Sequence, residues 1–105
     1  MNWKKSMYSI LYTNQAEQDL SDIAEYISLS SYNNAIAYLE RYDKKLILLQ
    51  HNPKMGTACI NKNIHIKCRV LRFESHIIIY REEQEKSELL IIRIFHHSVN
   101  YQEKI

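Results

Sequence analysis

The residues best suited to chemistry lie in the last third of the chain, in two apolar segments that carry arginines and end near histidines. These segments are Cys68–Arg81 and Leu89–Asn100. Arginine can donate two hydrogen bonds to phosphate oxygens, and histidine can exchange a proton near neutral pH. At the rim of a buried sheet, removing such charged groups from water costs free energy unless they are paired with other groups or serve a function. The structural alternative is that the arginines pair with acidic residues such as Glu74 or Glu82.

Composition restricts the class of protein. The chain has 105 residues, of which 46% are hydrophobic and 25% charged, as is ordinary for one globular domain, here residues 1–105. Its net charge of +2 is too small to indicate a nucleic-acid-binding surface by itself. We find neither an apolar run that could span a bilayer nor a signal-peptide pattern, and we therefore expect a cytoplasmic protein without a membrane partner.

The two cysteines, Cys59 and Cys68, are too few for a disulfide framework. They show no CxxC motif and no Cys/His spacing that suits zinc. We therefore expect both to be reduced and structural, and we expect no metal and no cofactor.

The first half of the chain is predicted to be a strand followed by two helices. Met7–Thr13 alternates in polarity as a strand does. Asn14 has the type of an N-cap, with Glu17 three positions later, so the first helix should begin there. Apolar residues at helical spacing then mark two amphipathic helices, the second of which ends before Pro53. These residues are Ala16, Leu20, Ile23 and Ile27 in the first helix, and Ala35, Leu39, Tyr42, Leu46 and Leu49 in the second.

The second half is predicted to be a sheet. Strands are expected from Ile64 onward, at Ile77–Arg81 and at Leu89–His96, with a turn at Glu74-Ser75 and a charged break at Glu82–Ser87. Three strands joined by short turns most simply form an antiparallel meander. The fold class is therefore α+β: a two-layer β-α-α-β-β-β domain, with a helical hairpin packed on a mainly antiparallel sheet.

This arrangement resembles the RelE/ParE toxins of type II toxin–antitoxin systems from about Tyr8 to Asn100. The resemblance rests on motifs that occur in family order. They are Tyr12-Thr13, Ala16…Asp19-Leu20…Ile23…Tyr26-Ile27, Asn34-Ala35, Asn52-Pro53…Gly56, Arg69…Leu71…Ile79-Tyr80-Arg81 and Ile92-Arg93-Ile94-Phe95-His96. The P-x-x-G loop, the R-x-L strand and the R-I-x-H ending are most similar to the ParE branch.

The resemblance implies a growth-inhibiting toxin that a cognate antitoxin neutralises. ParE-like members poison DNA gyrase, whereas RelE-like members cut messenger RNA on the ribosome without a metal. The modest positive charge favours the ParE-like alternative, because a ribosome-binding nuclease should carry more Lys and Arg. DNA is then expected as a partner only through the complex with the antitoxin.

If the protein is a nuclease, the resemblance places its catalytic groups at Arg69, Arg81 and His96. The arginines would stabilise negative charge on phosphorus, and the histidine would exchange the proton. His97 is a further candidate, but neighbours on a strand face opposite ways, which argues against His96 and His97 acting as a pair if both are extended.

The C-terminal segment departs from the family pattern. ParE-like sequences often continue H-x-x-R-D, where this chain has Val99 and Asn100 in place of the two charges. We expect target contact at His97, Val99, Asn100 and Tyr101. The departure leaves a third alternative, an inactive member that only binds its antitoxin.

An antitoxin surface is predicted on the helices. Leu29, Ile36, Ile47 and Leu48 lie off the main apolar stripes, where they can receive an amphipathic helix or strand. The alternative is a wide apolar face that packs on the sheet.

Overall fold

The structure is a computed structural model that describes residues 7–60 and 67–105. Two helices form one layer and a five-stranded sheet forms the other. The elements are β1 Ser9–Tyr12, α1 Asn14–Ser30, α2 Tyr32–His51, β2 Thr57–Ala58, β3 Arg69–Phe73, β4 His76–Glu83 and β5 Glu88–His96, with short 3-10 helices at Gln84–Lys86 and Tyr101–Glu103. The predicted α+β class is confirmed. The predicted strand start at Ile64 lies outside the described residues.

The strand order in the sheet is β1-β5-β4-β3-β2. Strands β3, β4 and β5 form the predicted antiparallel meander. Strand β1 pairs with the edge of β5 that faces away from β4, and it runs parallel to β5. Strand β2 was not predicted, because two residues are too few to show an alternating pattern. The predicted break at Glu82–Ser87 is shorter in the structure, since Glu82 and Glu83 continue β4 opposite Leu89 and Glu88.

Thr13 joins the start of α1 to the sheet, so the prediction of Asn14 as the N-cap is one residue too late. The Thr13 hydroxyl accepts a hydrogen bond from the Ala16 amide at 3.0 Å, which satisfies one free N–H of the first turn. It also donates to the Ile92 carbonyl oxygen at 2.7 Å. Ile92 stands at a bulge in β5, where the register with β4 shifts. One hydroxyl thus fixes both the helix start and the bulge.

Asp19 of α1 covers the part of β5 that extends beyond β1. Its Oδ2 accepts hydrogen bonds from the Ile94 amide at 2.9 Å and from Arg93 Nε at 2.8 Å, while Oδ1 accepts from Arg93 Nη2 at 3.0 Å. The hydrogen bonding of Arg93 to the Asp19 carboxylate is the main reason that the pKa of Arg93 is raised. The Arg93 guanidinium also lies over the Phe95 ring, 4.5 Å from its centroid.

The main hydrophobic core lies between the helices and one face of the sheet. The apolar stripes predicted for the two helices point into it, together with alternate residues of β3, β4 and β5. Its buried members are Ala16, Tyr38, Tyr42, Leu46, Leu49, Leu71, Phe73, Ile78, Tyr80, Leu89, Ile91 and Ile94.

A second, smaller core lies on the other face of the sheet, where the C-terminal segment packs. Ile77, Ile79, Phe95 and Cys68 are buried there. Partly buried residues surround them, namely Cys59, Val70, Ile92, Val99, Tyr101 and Ile105. The C-terminal segment therefore covers apolar surface that the helices do not reach.

The cysteines form a disulfide, and the expectation that both are reduced is wrong for this structure. The Cys59 amide donates to the Cys68 carbonyl oxygen at 2.9 Å, which continues the pairing of β2 with β3 by one residue. Their Cα atoms are 5.3 Å apart, within the range that a disulfide needs. A count of cysteines could not reveal this, because the pairing depends on the register of β2.

Gly56 fits beneath Tyr80 because it has no side chain. Its amide donates to the Tyr80 hydroxyl at 3.0 Å, and that hydroxyl donates to the Pro53 carbonyl oxygen at 2.8 Å. A Cβ atom at position 56 would lie 2.8 Å from both Cε1 and Oη of Tyr80 and 2.9 Å from the Val70 carbonyl oxygen. The P-x-x-G loop is therefore held tightly against the sheet.

Replacing Gly56 with alanine is expected to lower the free energy of unfolding by about 2 kcal/mol, because the added methyl group overpacks this contact. Urea denaturation followed by circular dichroism measures the change. Thr57→Ala, at the exposed neighbouring position, is the control and should change stability by less than about 0.5 kcal/mol. Equal stability of the Gly56→Ala variant and the unchanged protein would contradict the prediction.

Candidate functional site

Arg69 and Arg81, two of the three predicted catalytic residues, point to opposite faces of the sheet. Arg69 pairs with Tyr80 across β3 and β4, and its Nη1 donates to the Gly56 carbonyl oxygen at 2.8 Å on the helix side. Arg81 follows Tyr80 and therefore faces the other way. Its Nε donates to the Glu83 carboxylate at 2.8 Å in an exposed ion pair. Each guanidinium group is engaged by the protein itself.

His96, the third predicted catalytic residue, lies at the other end of the sheet. It ends β5 and pairs with His76 at the start of β4. Arg81 comes five positions after His76 on that strand, which corresponds to about 16 Å. The structure therefore does not bring Arg69, Arg81 and His96 together at one site.

Three histidine rings meet at this end of the sheet instead. The rings of His76 and His96 stand edge to face with centroids 5.7 Å apart, and those of His96 and His97 are 4.5 Å apart. His96 and His97 were expected to face opposite ways if both are extended, and that condition is not met, because β5 ends at His96 and the chain turns there. The His97 amide donates to the Ser75 carbonyl oxygen at 2.8 Å. We call these three residues the histidine cluster.

Hydrogen bonds orient two of these rings. His96 Nδ1 accepts from the Ser98 amide at 3.2 Å, so this nitrogen carries no proton in that contact. His76 Nδ1 lies 3.1 Å from the Tyr38 hydroxyl oxygen. Desolvation, assisted by Glu74, raises the pKa of Tyr38 to about 12. The Tyr38 hydroxyl is therefore protonated at neutral pH and can donate to His76.

Two members of the histidine cluster, His76 and His97, disfavour positive charge. Desolvation, followed by the proximity of His96, lowers the pKa of His76 from its ordinary value of 6.5, although Glu74 opposes the shift. Desolvation, followed by Arg72 and His96, lowers the pKa of His97. Both rings therefore protonate less readily in the folded chain than in the unfolded chain.

Lowering the pH from about 7.5 to about 5.5 is expected to reduce the free energy of unfolding. The unfolded chain binds more protons at His76 and His97 than the folded chain does in this window, since both pKa values are lowered on folding. The stabilising contribution of these histidines is complete above their ordinary pKa of 6.5 and is lost as the pH falls from there through their lowered pKa values in the folded chain. Urea denaturation at each pH measures the slope.

His76→Gln is the matched control and should make this slope shallower. The window stops at about pH 5.5 because carboxylates begin to contribute below it. A hydrogen bond from Arg41 lowers the pKa of Glu74. Desolvation alone would raise the pKa of Glu82, but hydrogen bonds from Lys54 and Tyr8 lower it. Stability that is constant or rises between about pH 7.5 and 5.5 would contradict the assignment.

A cleft of about 730 Å³ opens between the helical hairpin and the histidine cluster. At its edge Arg41 Nε and Nη2 donate to the Glu74 carboxylate at 2.6 and 3.0 Å. Glu74 occupies the predicted turn between β3 and β4 with a φ of 52°, in the left-handed region. The residues that line the cleft are Asp22, Ile23, Tyr26, Ile27, Asn34, Tyr38, Arg41, Glu74, Ser75, His76 and His96.

The four residues predicted for target contact occupy two kinds of position. Val99 and Tyr101 are half-buried in the second core, and the Tyr101 hydroxyl accepts a hydrogen bond from the Ile60 amide at 3.1 Å. His97 and Asn100 are exposed. The Asn100 side chain accepts a hydrogen bond from the Gln102 amide at 3.2 Å and so caps the last 3-10 helix.

The four residues predicted for antitoxin binding do not pack on the sheet. Leu29 is 80% exposed, Ile36 40%, Ile47 51% and Leu48 53%. They form two patches rather than one. Leu29 and Ile36 lie beside the turn between α1 and α2, close in sequence to exposed Tyr26 and Tyr32, whereas Ile47 and Leu48 lie near the end of α2.

Sequence reasoning missed Tyr38, Arg41 and His76 as components of the cleft. The one signal available was the position of His76 directly after the turn at Glu74-Ser75, which places it at the rim of the sheet. Its proximity to His96 follows from the register between β4 and β5, which the sequence does not specify.

Two observations concern other kinds of site. Within residues 7–60 and 67–105, no three His, Cys, Asp or Glu side chains are grouped so that they could hold a metal ion. Over the same residues, neither helix is both long and apolar enough to cross a membrane.

A family model described as "ParE toxin of type II toxin-antitoxin system, parDE" matches residues 10–101. No curated protein matches the chain in sequence.

Solved structures with the same fold include toxin–antitoxin complexes. The chromosomal ParDE toxin–antitoxin system from P. aeruginosa is 22% identical, with a TM-score of 0.66 over 87% of this chain and 97% of that one. The RelBE2 toxin–antitoxin complex from Mycobacterium tuberculosis is 19% identical, with a TM-score of 0.61 over 87% and 99%. A metal-bound toxin from Helicobacter pylori is 15% identical, with a TM-score of 0.53 over 88% and 97%. At these identities the likeness concerns the fold alone.

Proposed function

The chain belongs to the ParE toxin family of type II toxin–antitoxin systems, and we propose that it inhibits growth by poisoning DNA gyrase. The observation that carries the choice of target is the separation of Arg69, Arg81 and His96. Metal-independent RNA cleavage needs cationic donors and a proton-transfer group around one phosphate. Two arginines on opposite faces of the sheet, about 13 Å (Arg69) and about 16 Å (Arg81) from the histidine along the strands, do not supply that arrangement.

We place the gyrase contact on the exposed part of the C-terminal segment. Val99 and Tyr101 hold this segment on the second core, which leaves His97 and Asn100 free to face a partner. Because Asn100 also caps the last 3-10 helix, its substitution should keep a side-chain acceptor. The ParE-like pattern has an aspartate at this position, so Asn100→Asp both preserves the cap and restores a family charge.

Replacing His97 with alanine is expected to weaken inhibition of gyrase supercoiling by at least about tenfold, since a contact worth about 1.4 kcal/mol is lost. Purified gyrase, relaxed plasmid and a dilution series of toxin measure the inhibitory concentration. Lys44→Ala, at an exposed position on α2, is the matched control and should leave that concentration unchanged. Equal potency of all three proteins would show that His97 does not contact gyrase. Absence of inhibition by the unchanged chain would overturn gyrase as the target.

A second candidate function is ribosome-dependent cleavage of messenger RNA. The observation in its favour is the 4.5 Å separation of the His96 and His97 rings, which places two proton-exchanging groups side by side. Primer extension on abundant messages from cells that express the chain tests this candidate. Discrete cleavage that His96→Ala and Arg81→Ala both abolish, with supercoiling unaffected, would replace the gyrase proposal.

A cognate antitoxin is the proposed protein partner, as in the two toxin–antitoxin systems that share this fold. The exposed apolar side chains of the helices support this proposal, since burying them against an amphipathic segment is favourable. Leu29→Asp together with Ile36→Asp tests the patch at the hairpin turn, and Ile47→Asp together with Leu48→Asp tests the patch near the end of α2. Calorimetry with the product of the neighbouring antitoxin gene then shows which pair weakens binding. If neither pair does, both patches are excluded.

If expression causes neither loss of supercoiling nor message cleavage, the chain is an inactive member that binds its antitoxin only. The substitution of Val99 and Asn100 for the family's charged pair is the feature that favours this outcome.

A further inference from the structure

We propose that Cys59 and Cys68 form a redox latch whose oxidation state controls how firmly the C-terminal segment, residues 97–105, is held on the sheet. The oxidised form is the one in which the segment lies against the second core. Reduction is expected to loosen the end of β2 and the C-terminal segment together, while the helices and the central strands keep their structure.

The two cysteines are placed for reversible bonding. They stand opposite each other just beyond the paired residues of β2 and β3, because Ala58 pairs with Arg69, Cys59 follows Ala58 and Cys68 precedes Arg69. A hydrogen bond of 2.9 Å from the Cys59 amide to the Cys68 carbonyl oxygen holds the backbones at this spacing. The disulfide can therefore form and open without a rearrangement of the sheet.

The cysteines belong to the same apolar cluster as the C-terminal segment. Cys68 is buried in the second core and Cys59 packs at its border, in the cluster that contains Val99, Tyr101 and Ile105. Ile60, the residue after Cys59, donates its amide hydrogen to the Tyr101 hydroxyl at 3.1 Å. A displacement of Cys59 therefore acts on the C-terminal segment through both apolar packing and a hydrogen bond.

Few other contacts hold this end of β2. The strand has two residues, both exposed, and it pairs with β3 through two positions only. The stronger contacts of the preceding loop lie upstream, at Gly56, where Tyr80 and Arg69 bind the backbone. Without the disulfide, residues 58–60 are left at the edge of the sheet, and short edge strands open readily.

The reduction is an ordinary thiol–disulfide exchange. The thiolate of a dithiol reductant attacks the sulfur of Cys59, which is the less buried of the two, and Cys68 leaves as a thiolate. The second thiolate of the reductant then attacks the mixed disulfide and releases Cys59. Two electrons and two protons pass to the protein, which gains two thiols, and the reductant becomes a disulfide. A small-molecule disulfide oxidant reverses the step.

The consequence for toxicity rests on the proposed role of the C-terminal segment in gyrase contact. If His97 and Asn100 bind the target, the redox state of the cysteines sets how well these side chains are positioned. The latch itself is a property of the isolated chain and is measurable without gyrase.

Amide hydrogen exchange by NMR on the full chain, oxidised or treated with dithiothreitol, tests the proposal. On reduction we expect exchange at Ile60, Glu103 and Lys104 to become at least about tenfold faster, while the amides of α2 keep their rates. The Glu103 and Lys104 amides report on the segment because they donate to Asn100 and Tyr101 within its 3-10 helix. Tyr101→Phe in the oxidised chain removes only the hydroxyl and should accelerate exchange at Ile60.

Reduction that leaves Glu103 and Lys104 unchanged would overturn the latch, whatever a gyrase assay shows. Acceleration of all amides, including those of α2, would also overturn it, because the disulfide would then stabilise the whole fold. Cys59→Ala, which cannot form the disulfide, should reproduce the reduced pattern and be insensitive to dithiothreitol. If the latch is confirmed but neither redox state inhibits gyrase, the proposed target fails and the latch stands.

Discussion

Replacing Tyr42 with alanine is expected to lower the free energy of unfolding by about 4 kcal/mol, enough to unfold a small domain of ordinary stability. Tyr42 is 1% exposed and lies at the centre of the main core. Its ring stands edge to face with Phe73 at 5.8 Å, and its hydroxyl lies 2.9 Å from the hydroxyl of Tyr12. The substitution therefore leaves a large cavity where α2, β1 and β3 meet.

Tyr42→Phe is the matched control, because it keeps the ring and removes only the hydroxyl that is hydrogen-bonded to the Tyr12 hydroxyl. We expect this variant to lose about 1 kcal/mol. Urea denaturation of the three proteins, followed by circular dichroism, separates the contribution of the ring from that of the hydrogen bond. A loss of less than about 2 kcal/mol for Tyr42→Ala would mean that the neighbouring side chains close the cavity, and it would contradict the prediction.

Replacing Asp19 with alanine is expected to lower the free energy of unfolding by about 3 kcal/mol. The Asp19 carboxylate receives two hydrogen bonds from Arg93 and one from the Ile94 amide. Both members of the ion pair are mostly shielded from water, with side-chain exposures of 24% for Arg93 and 15% for Asp19. Alanine leaves the guanidinium without its partner and the edge amide of β5 without an acceptor.

Asp19→Asn keeps one side-chain acceptor and nearly the same volume, so we expect about half of that loss. Thermal unfolding at low and at high salt measures both variants against the unchanged chain. Because the pair is shielded, the difference between Asp19→Ala and the unchanged chain should be largely insensitive to salt. A difference that disappears at high salt would indicate a screened surface interaction and would contradict the prediction.

These two residues illustrate how much of the fold was predictable from the sequence. The burial of Tyr42 followed from the spacing of apolar residues along α2, since helical periodicity fixes which face of a helix is covered. The bonds of Asp19 could not be predicted, although the family motif contained it, because its partner is 74 positions away in the chain. Side-chain pairing at that distance depends on how α1 lies across β5.

The candidate site was less predictable, because its residues lie at the ends of elements. Ring contact between His96 and His97 depends on β5 ending at His96. One more strand residue would have placed the two side chains on opposite faces, as the alternation of a strand predicted. The pairing of Cys59 with Cys68 likewise depends on a two-residue strand. Periodicity locates the middle of an element well and its ends poorly.

The parallel pairing of β1 with β5 determines when the protein can finish folding during its synthesis. Ser9 pairs with Glu88, so the first strand cannot join the sheet until the last strand has been synthesised. A ribosome releases β1 and both helices well before β5 emerges, and contacts between such distant positions form slowly. The hairpin therefore leaves the ribosome with its apolar stripe uncovered. A nascent chain that stops before Glu88 has neither a partner for β1 nor a C-terminal segment with which to contact a target.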